Sequence, residues 1–322
     1  MNSSFLRTLV AVVILAGTVL SASSSEISRT ITVAADGSGD FPTLTQALKS
    51  IRGDMDDLVR VYVRNGRYQE KIVLNATMQN VIIEGESADS TIVTYSDYAS
   101  LRNMGTSGSY TFKVEGNFIT FQNITIENAA GPVGQAVAMY TTGDCLKFKN
   151  CRFLGNQDTL YTGGRNARLY FEDCYIEGTT DFIFGAATAL FNRCHLHGKV
   201  DSYITAASTS KGSAVGYVFN KCKVTTEPGV TALYLGRPWR PNASTYFIEC
   251  ELPASIHPAG WHNWGNPANE QTARYGEYGC TGEGAKAEAR VSWRQELTPE
   301  LAKQLTDPAY LFTRTLTWAP AE

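Results

Sequence analysis

Short runs of β-branched and aromatic residues recur along the chain, among them "RVYVRNG", "NVIIEG" and "FITFQNITI", each bounded by Gly or Asn. Apolar runs of this length and composition are strands rather than helices. A longer period lies over the short one. The segments "FKNCRFLGNQD" from Phe148, "FEDCYIEGTTD" from Phe171 and "FNRCHLHGKVD" from Phe191 all read Phe, two polar residues, Cys, any residue, apolar, any residue, Gly, two residues, Asp. Echoes follow in "FNKCKV" from Phe219 and "FIECEL" from Phe247, and "FQNITIEN" from Phe121 precedes them without the Cys. The Phe positions step by 27, 23, 20, 28 and 28 residues. A repeat of this length predicts a solenoid, in which each unit buries its apolar face only against its neighbours.

Phe and Cys stand three apart, which on one flat strand would put them on opposite faces. A bend at the intervening Asn150, Asp173 or Arg193 lets both point inward, so each coil turns a corner there. The predicted fold is all-β, a right-handed parallel β-helix with coils stacked at about 4.8 Å. Cys151, Cys174, Cys194, Cys222 and Cys250 then form an internal ladder. Buried thiols side by side behave as small hydrophobes, so free thiols are expected rather than disulfides. Zinc is not indicated, because no CxxC pair occurs.

An open coil exposes strand edges, and the ends need covers. "FPTLTQALKSI" supplies a helix for the first, with capping-box spacing from Thr43 to Gln46 and Leu44, Ala47, Leu48 and Ile51 on one stripe. "TPELAKQLTDP" supplies one near the other end, with Thr298 as N-cap, Pro299 at the first helical position and Pro308 as a stop.

Ahead of this pattern, residues 1–25 carry Arg7, an apolar run from Leu9 to Leu20 and small residues at Ala22 and Ser23. That is the layout of a secretory signal, too short in its apolar part to span a bilayer. Residues 26–322 are expected to form a single domain, exported and free of the membrane after cleavage. The 322 residues hold 28 Lys+Arg against 31 Asp+Glu, a net charge of −3. With no long basic run, the chain lacks the footprint of a nucleic-acid binder.

Asp158 and Asp181 occupy the same register of consecutive repeats, seven residues after Cys151 and Cys174. Stacking should bring their carboxyls within about 5–7 Å. Two carboxyls that close cannot both ionise cheaply, so one is pushed up as an acid while the other stays charged. The pair alone is also compatible with a ladder of corner Asp residues bonded to turn amides. Asp201 continues the register and is read as structural or rim-lining. Gln157 beside Asp158, and Gln135 one coil earlier, offer neutral amide donors for an oxyanion. Arg237 in "LGRPWR" can hold the charged Asp through a bidentate pair, and Trp239 offers a flat platform for a sugar ring.

Together "DGSGDFPTLTQAL", "GRYQEKI", "GQAVAM", "GNQDTLY", "GTTDFIFG" and "LGRPWR", in this order from the N-terminal part to Leu235, resemble the pectin methylesterases of the pectinesterase family. The resemblance spans Ala34 to about Phe312. It implies a right-handed parallel β-helix that removes methyl groups from polygalacturonate esters, with no metal or organic cofactor. It implies Asp181 as nucleophile, Asp158 as acid/base, Gln157 and Gln135 as oxyanion donors, and Arg237 with Trp239 as binders. Thr106 in "GTSGSYTFK" matches a substrate-contacting Thr, and Tyr161, Phe182 and Tyr234 are candidate rim aromatics, with core packing the favoured reading for any one of them. The implied partner is methyl-esterified pectin, met by a secreted monomer. A serine esterase is excluded by the absence of a G-x-S-x-G elbow. A β-helical polysaccharide hydrolase or lyase, and a non-catalytic binding solenoid, remain the alternatives.

Overall fold

The computed structural model describes residues 26–53, 56–164, 166–313 and 318–320. The predicted signal segment, residues 1–25, lies outside the described residues. The strands form three sheets of ten, seven and seven members. Every strand pairing among them is parallel. Neighbours within a sheet come from successive coils, so Leu146–Lys149 lies beside Arg168–Glu172, which lies beside Thr188–Asn192. This is the right-handed parallel β-helix that the repeat predicts.

The corner between Phe and Cys is made by one left-handed residue per coil. Asn123, Asn150, Asp173, Arg193, Lys221 and Glu249 have φ between 49° and 54°. Both flanking side chains therefore turn inward, and Phe148, Phe171 and Phe191 are fully buried with Cys151, Cys174 and Cys194 beside them. From Phe121 to Phe247 the rings form one continuous stack, with centroid separations of 5.2, 4.6, 4.5, 4.5 and 4.4 Å. Outside, the corners form a ladder of their own, in which Asn150 donates to Asn123 at 2.8 Å and Arg193 pairs with Asp173 at 2.9 Å.

All seven cysteines are free thiols. From Cys174 to Cys250 each thiol of the ladder donates to the Phe carbonyl of the coil before it, as Cys174 does to Phe148 at 3.5 Å and Cys222 to Phe191 at 3.3 Å. Cys280 adds a further rung, donating to the Phe247 carbonyl at 3.4 Å. The repeat did not reveal it, because Glu277 stands where the other units have Phe.

The N-terminal mouth is plugged as expected by α1 (Leu44–Lys49), whose Leu44, Ala47 and Leu48 enter the main core. Thr43 accepts from the Gln46 amide at 3.3 Å. The Glu70 carboxylate takes the Leu44 and Thr45 amides at 2.8 Å each, a negative charge where the helix dipole favours one.

The C-terminal helices are placed differently from the expectation. α2 (Pro299–Leu305) and α3 (Pro308–Phe312) do not close the other mouth. Their Ala302, Leu305, Leu311 and Phe312 pack on Tyr170, Leu190, Val218 and Tyr246, which alternate with the stacked Phe residues and so face outward from the ten-stranded sheet. The second mouth is instead covered by the strand Arg274–Tyr278 and the residues after it, where Tyr275 packs between Trp261 at 4.7 Å and Trp293 at 6.1 Å. Pro308 follows the end of α2 but also starts α3, with Asp307 as its N-cap.

Candidate active site

One seven-stranded sheet carries the chemistry. Leu160–Thr162, Ile183–Gly185, Tyr203–Ala207 and Tyr234–Pro238 are consecutive in it. Asp158 and Asp181 each stand two residues before a paired position, Leu160 and Ile183, and so share one register on adjacent coils. Both have left-handed backbones, with φ of 65° and 50°. Both are nearly buried, at 8% and 6% exposure, and both line one cavity of about 250 Å³. Asp201 drops out of register. Thr205 pairs with Ile183, which puts Tyr203 rather than Asp201 opposite Asp181. The Asp201 carboxylate accepts from the Thr231 and Ala232 amides at 2.7 and 2.9 Å, the structural one of the two roles read for it from the sequence.

Arg237 reaches Asp181 from a later coil with both arms of its fork, Nε to Oδ1 at 2.9 Å and Nη2 to Oδ2 at 2.7 Å. Its guanidinium is held between two rings, 3.9 Å from the Tyr203 centroid and 3.8 Å from that of Trp264. This geometry separates the two carboxyls. Burial first, and then the charge of Asp181, push Asp158 up to about 8, with Arg237 opposing. Burial also raises Asp181, but the hydrogen bonds and the charge of Arg237 act directly against it. Near neutral pH the arrangement provides a protonated Asp158 beside an Asp181 that gives up its proton first.

The cavity brings together all seven residues singled out from the sequence: Thr106, Gln135, Gln157, Asp158, Asp181, Arg237 and Trp239. An isolated parallel bridge joins Gln135 to Gln157, which stacks the two amides on adjacent coils. Thr106 enters from a 3-10 turn, Thr106–Gly108. Trp239 packs against Phe184 at 6.0 Å.

Phe184, Ala206 and Trp264 also line the cavity and were not anticipated. Of the candidate rim aromatics, Phe182 is fully buried in the core, and Phe184, two positions on, takes the rim. Tyr161 does lie on the outer face, stacked on Tyr140 at 4.2 Å and close to Phe184 at 4.9 Å. Tyr234 stacks on His257 at 4.2 Å, one ring removed from the groove. The larger hollow of about 450 Å³ between α1 and the strand Ile72–Leu74 has only Lys49 and Lys71 as ionisable groups in its lining, so it offers no acid–base pair. Among the described residues no group of three His, Cys, Asp or Glu side chains could hold a metal ion.

A parallel β-helix with carboxyl chemistry set in a side groove belongs to the class of β-helical polysaccharide-modifying enzymes. Within that class the chain belongs to the pectinesterase family, whose family model, Pectinesterase, matches residues 30–313. It is similar to pectinesterase 31 of Arabidopsis thaliana, 38% identical over 288 residues that make up 85% of this chain and 90% of the relative. It superimposes on a pectin methylesterase from carrot with a TM-score of 0.84 at 30% identity, covering 89% of this chain and 94% of that one. A pectin methylesterase in complex with a hexasaccharide superimposes with a TM-score of 0.76 at 27% identity, over 90% of this chain and 98% of that one.

Proposed function

We propose that this chain removes methyl esters from pectin, with Asp181 as nucleophile and Asp158 as acid/base. Asp181 attacks the ester carbonyl of a methylated galacturonate, and the side-chain amides of Gln157 and Gln135 take up the oxyanion charge. The tetrahedral adduct collapses, the methoxy oxygen takes the Asp158 proton, and methanol leaves an anhydride between Asp181 and the sugar. Asp158, now a carboxylate, deprotonates the water that attacks the sugar carbonyl. Asp181 departs as carboxylate and Asp158 regains its proton.

The observation that carries this reading is the asymmetry of the pair. Asp181 has a bidentate cationic partner, whereas Asp158 is pushed up to about 8 beside it. Trp239, Phe184 and Thr106 line the same groove and suit an extended sugar chain. The leader-like segment at residues 1–25 fits a secreted enzyme. No helix among the described residues is long and apolar enough to cross a membrane.

The test is methanol release from methylated pectin, with the polymer's chain length followed in parallel. Wild type should release methanol without shortening the chain, and Asp181→Asn should release none above background. Chain cleavage by the wild type would favour the hydrolase or lyase alternative, and unchanged methanol release by the variant would remove Asp181 from its role.

A further inference from the structure

The strand Tyr234–Pro238, which carries Arg237, is the last of its sheet. Beyond it no regular strand follows, and the chain from Ile256 to Trp264 runs alongside through the bridges Leu233↔Ile256 and Gly236↔Trp261. This segment contains two of the four histidines, and both make the same local bond. His257 Nδ1 accepts the Ala259 amide at 3.1 Å, and His262 Nδ1 accepts the Trp264 amide at 3.1 Å. Each ring must be neutral at Nδ1 to accept.

The bond at His262 ties down a strained conformation. Trp264 is a bulky residue at φ 62°, in the left-handed region that costs such side chains energy. In that conformation its ring covers one face of the Arg237 guanidinium at 3.8 Å. The opposite face is covered by Tyr203, which stacks on Tyr234 at 5.2 Å, which in turn stacks on His257 at 4.2 Å. Each histidine therefore supports one side of the clamp around the arginine that pairs with Asp181. The His262 amide also donates to the Gly236 carbonyl at 3.1 Å, which fixes the segment next to Arg237.

We propose that His262 is a positioning residue that holds Trp264 on Arg237 only while its imidazole is neutral, and so adds a proton-sensitive step to the acid side of the activity. Protonation turns Nδ1 from acceptor to donor, leaving the Trp264 amide facing another N–H. Trp264 then loses its tether, and a second cation faces the guanidinium. The titratable and charged groups around the His262 ring are Arg237 and Tyr234 from one strand, Tyr203 from the next, and His257 from its own segment. Burial, then Arg237, then His257 hold its protonation below the usual histidine range. The switch thus lies on the acidic side of neutral.

The inference rests on the proposed reaction for its kinetic readout but not for its structural one. Asn supplies a side-chain oxygen that accepts the amide two residues on and does not titrate. The experiment measures kcat and KM against pH for wild type, His262→Ala and His262→Asn, after thermal melts establish that all three are folded. His262→Ala should lose kcat by about tenfold even at neutral pH. His262→Asn should recover it and carry an acid limb displaced to lower pH. In parallel, the Trp264 indole N–H resonance should move with the His262 imidazole titration in wild type and stay fixed in His262→Asn. Native kcat in His262→Ala, superimposable acid limbs for wild type and His262→Asn, or an indole resonance indifferent to the imidazole would each overturn the proposal. If wild type releases no methanol, the reaction is refuted, and the resonance titration still decides the positioning role.

Discussion

Replacing Arg237 by Met keeps a long apolar stem and removes the fork. In the wild type that fork gives Asp181 two charge-assisted hydrogen bonds, at 2.9 and 2.7 Å, with the two side chains only 19% and 8% exposed. Such bonds contribute roughly 1.5–3 kcal/mol each, and in a groove that still admits solvent the lower figure applies, about 3 kcal/mol for the pair. At about 1.4 kcal/mol per decade, the ratio of carboxylate to acid at Asp181 falls about a hundredfold at any fixed pH. Methanol-release assays across pH should therefore show the acid limb moved upward by about two pH units, with kcat/KM about a hundredfold lower along that limb. Arg237→Lys keeps the charge without the planar fork and should fall between the two. Removing one partner of a buried pair also destabilises the fold by about 3 kcal/mol or more, softened here because Asp181 can take up a proton, so melts must accompany the rates. An acid limb that stays in place, or a loss under about threefold along that limb, would refute the claim that Arg237 keeps the nucleophile ionised.

Asp158→Asn should abolish turnover, and wild-type activity should fall as pH rises past about 8, the value to which the site pushes this carboxyl. The same substitution should stabilise the protein. The unfolded chain ionises Asp158 near 3.8, the folded one near 8, so the stability linked to this group is complete below the first value and is lost as pH climbs to the second. Denaturant titration at pH ~8 should find the Asn variant more stable by about 1–3 kcal/mol, with the difference vanishing near pH ~4. Phe171→Ala removes a fully buried ring stacked at 4.6 and 4.5 Å on its neighbours and should cost about 3–5 kcal/mol in the same measurement.

The architecture was legible because its period is written in side chains that must recur. Phe and Cys fix the inner face of each coil, and a residue between them has to turn the corner. The expectation of a bend at Asn150, Asp173 and Arg193 is met by positive φ at all three. The carboxyl pair was legible for the same reason, since Asp158 and Asp181 keep one register. What broke the period was not legible. Asp201 has the right spacing in sequence, but the pairing of Thr205 with Ile183 slips it by two residues. Trp264 lies in a segment with no repeat to place it, and only the three-dimensional contact with Arg237 assigns it to the groove. The cap and proline signals of α2 announced a helix but not its docking site, which is the outward phase of the ten-stranded sheet rather than the open mouth.

The left-handed corners bear on how any variant of the carboxyl pair is to be interpreted. Asp and Asn enter this backbone region more readily than other side chains with a Cβ, because their short polar groups can bond locally. With Asp158 at φ 65° and Asp181 at φ 50°, alanine at either position would alter the chain's path as well as the reacting group. A rate lost on truncation would then mix geometry with chemistry, whereas the amide isostere keeps the turn and deletes only the acid. Each carboxyl of the pair thus serves also as the hinge of its own coil.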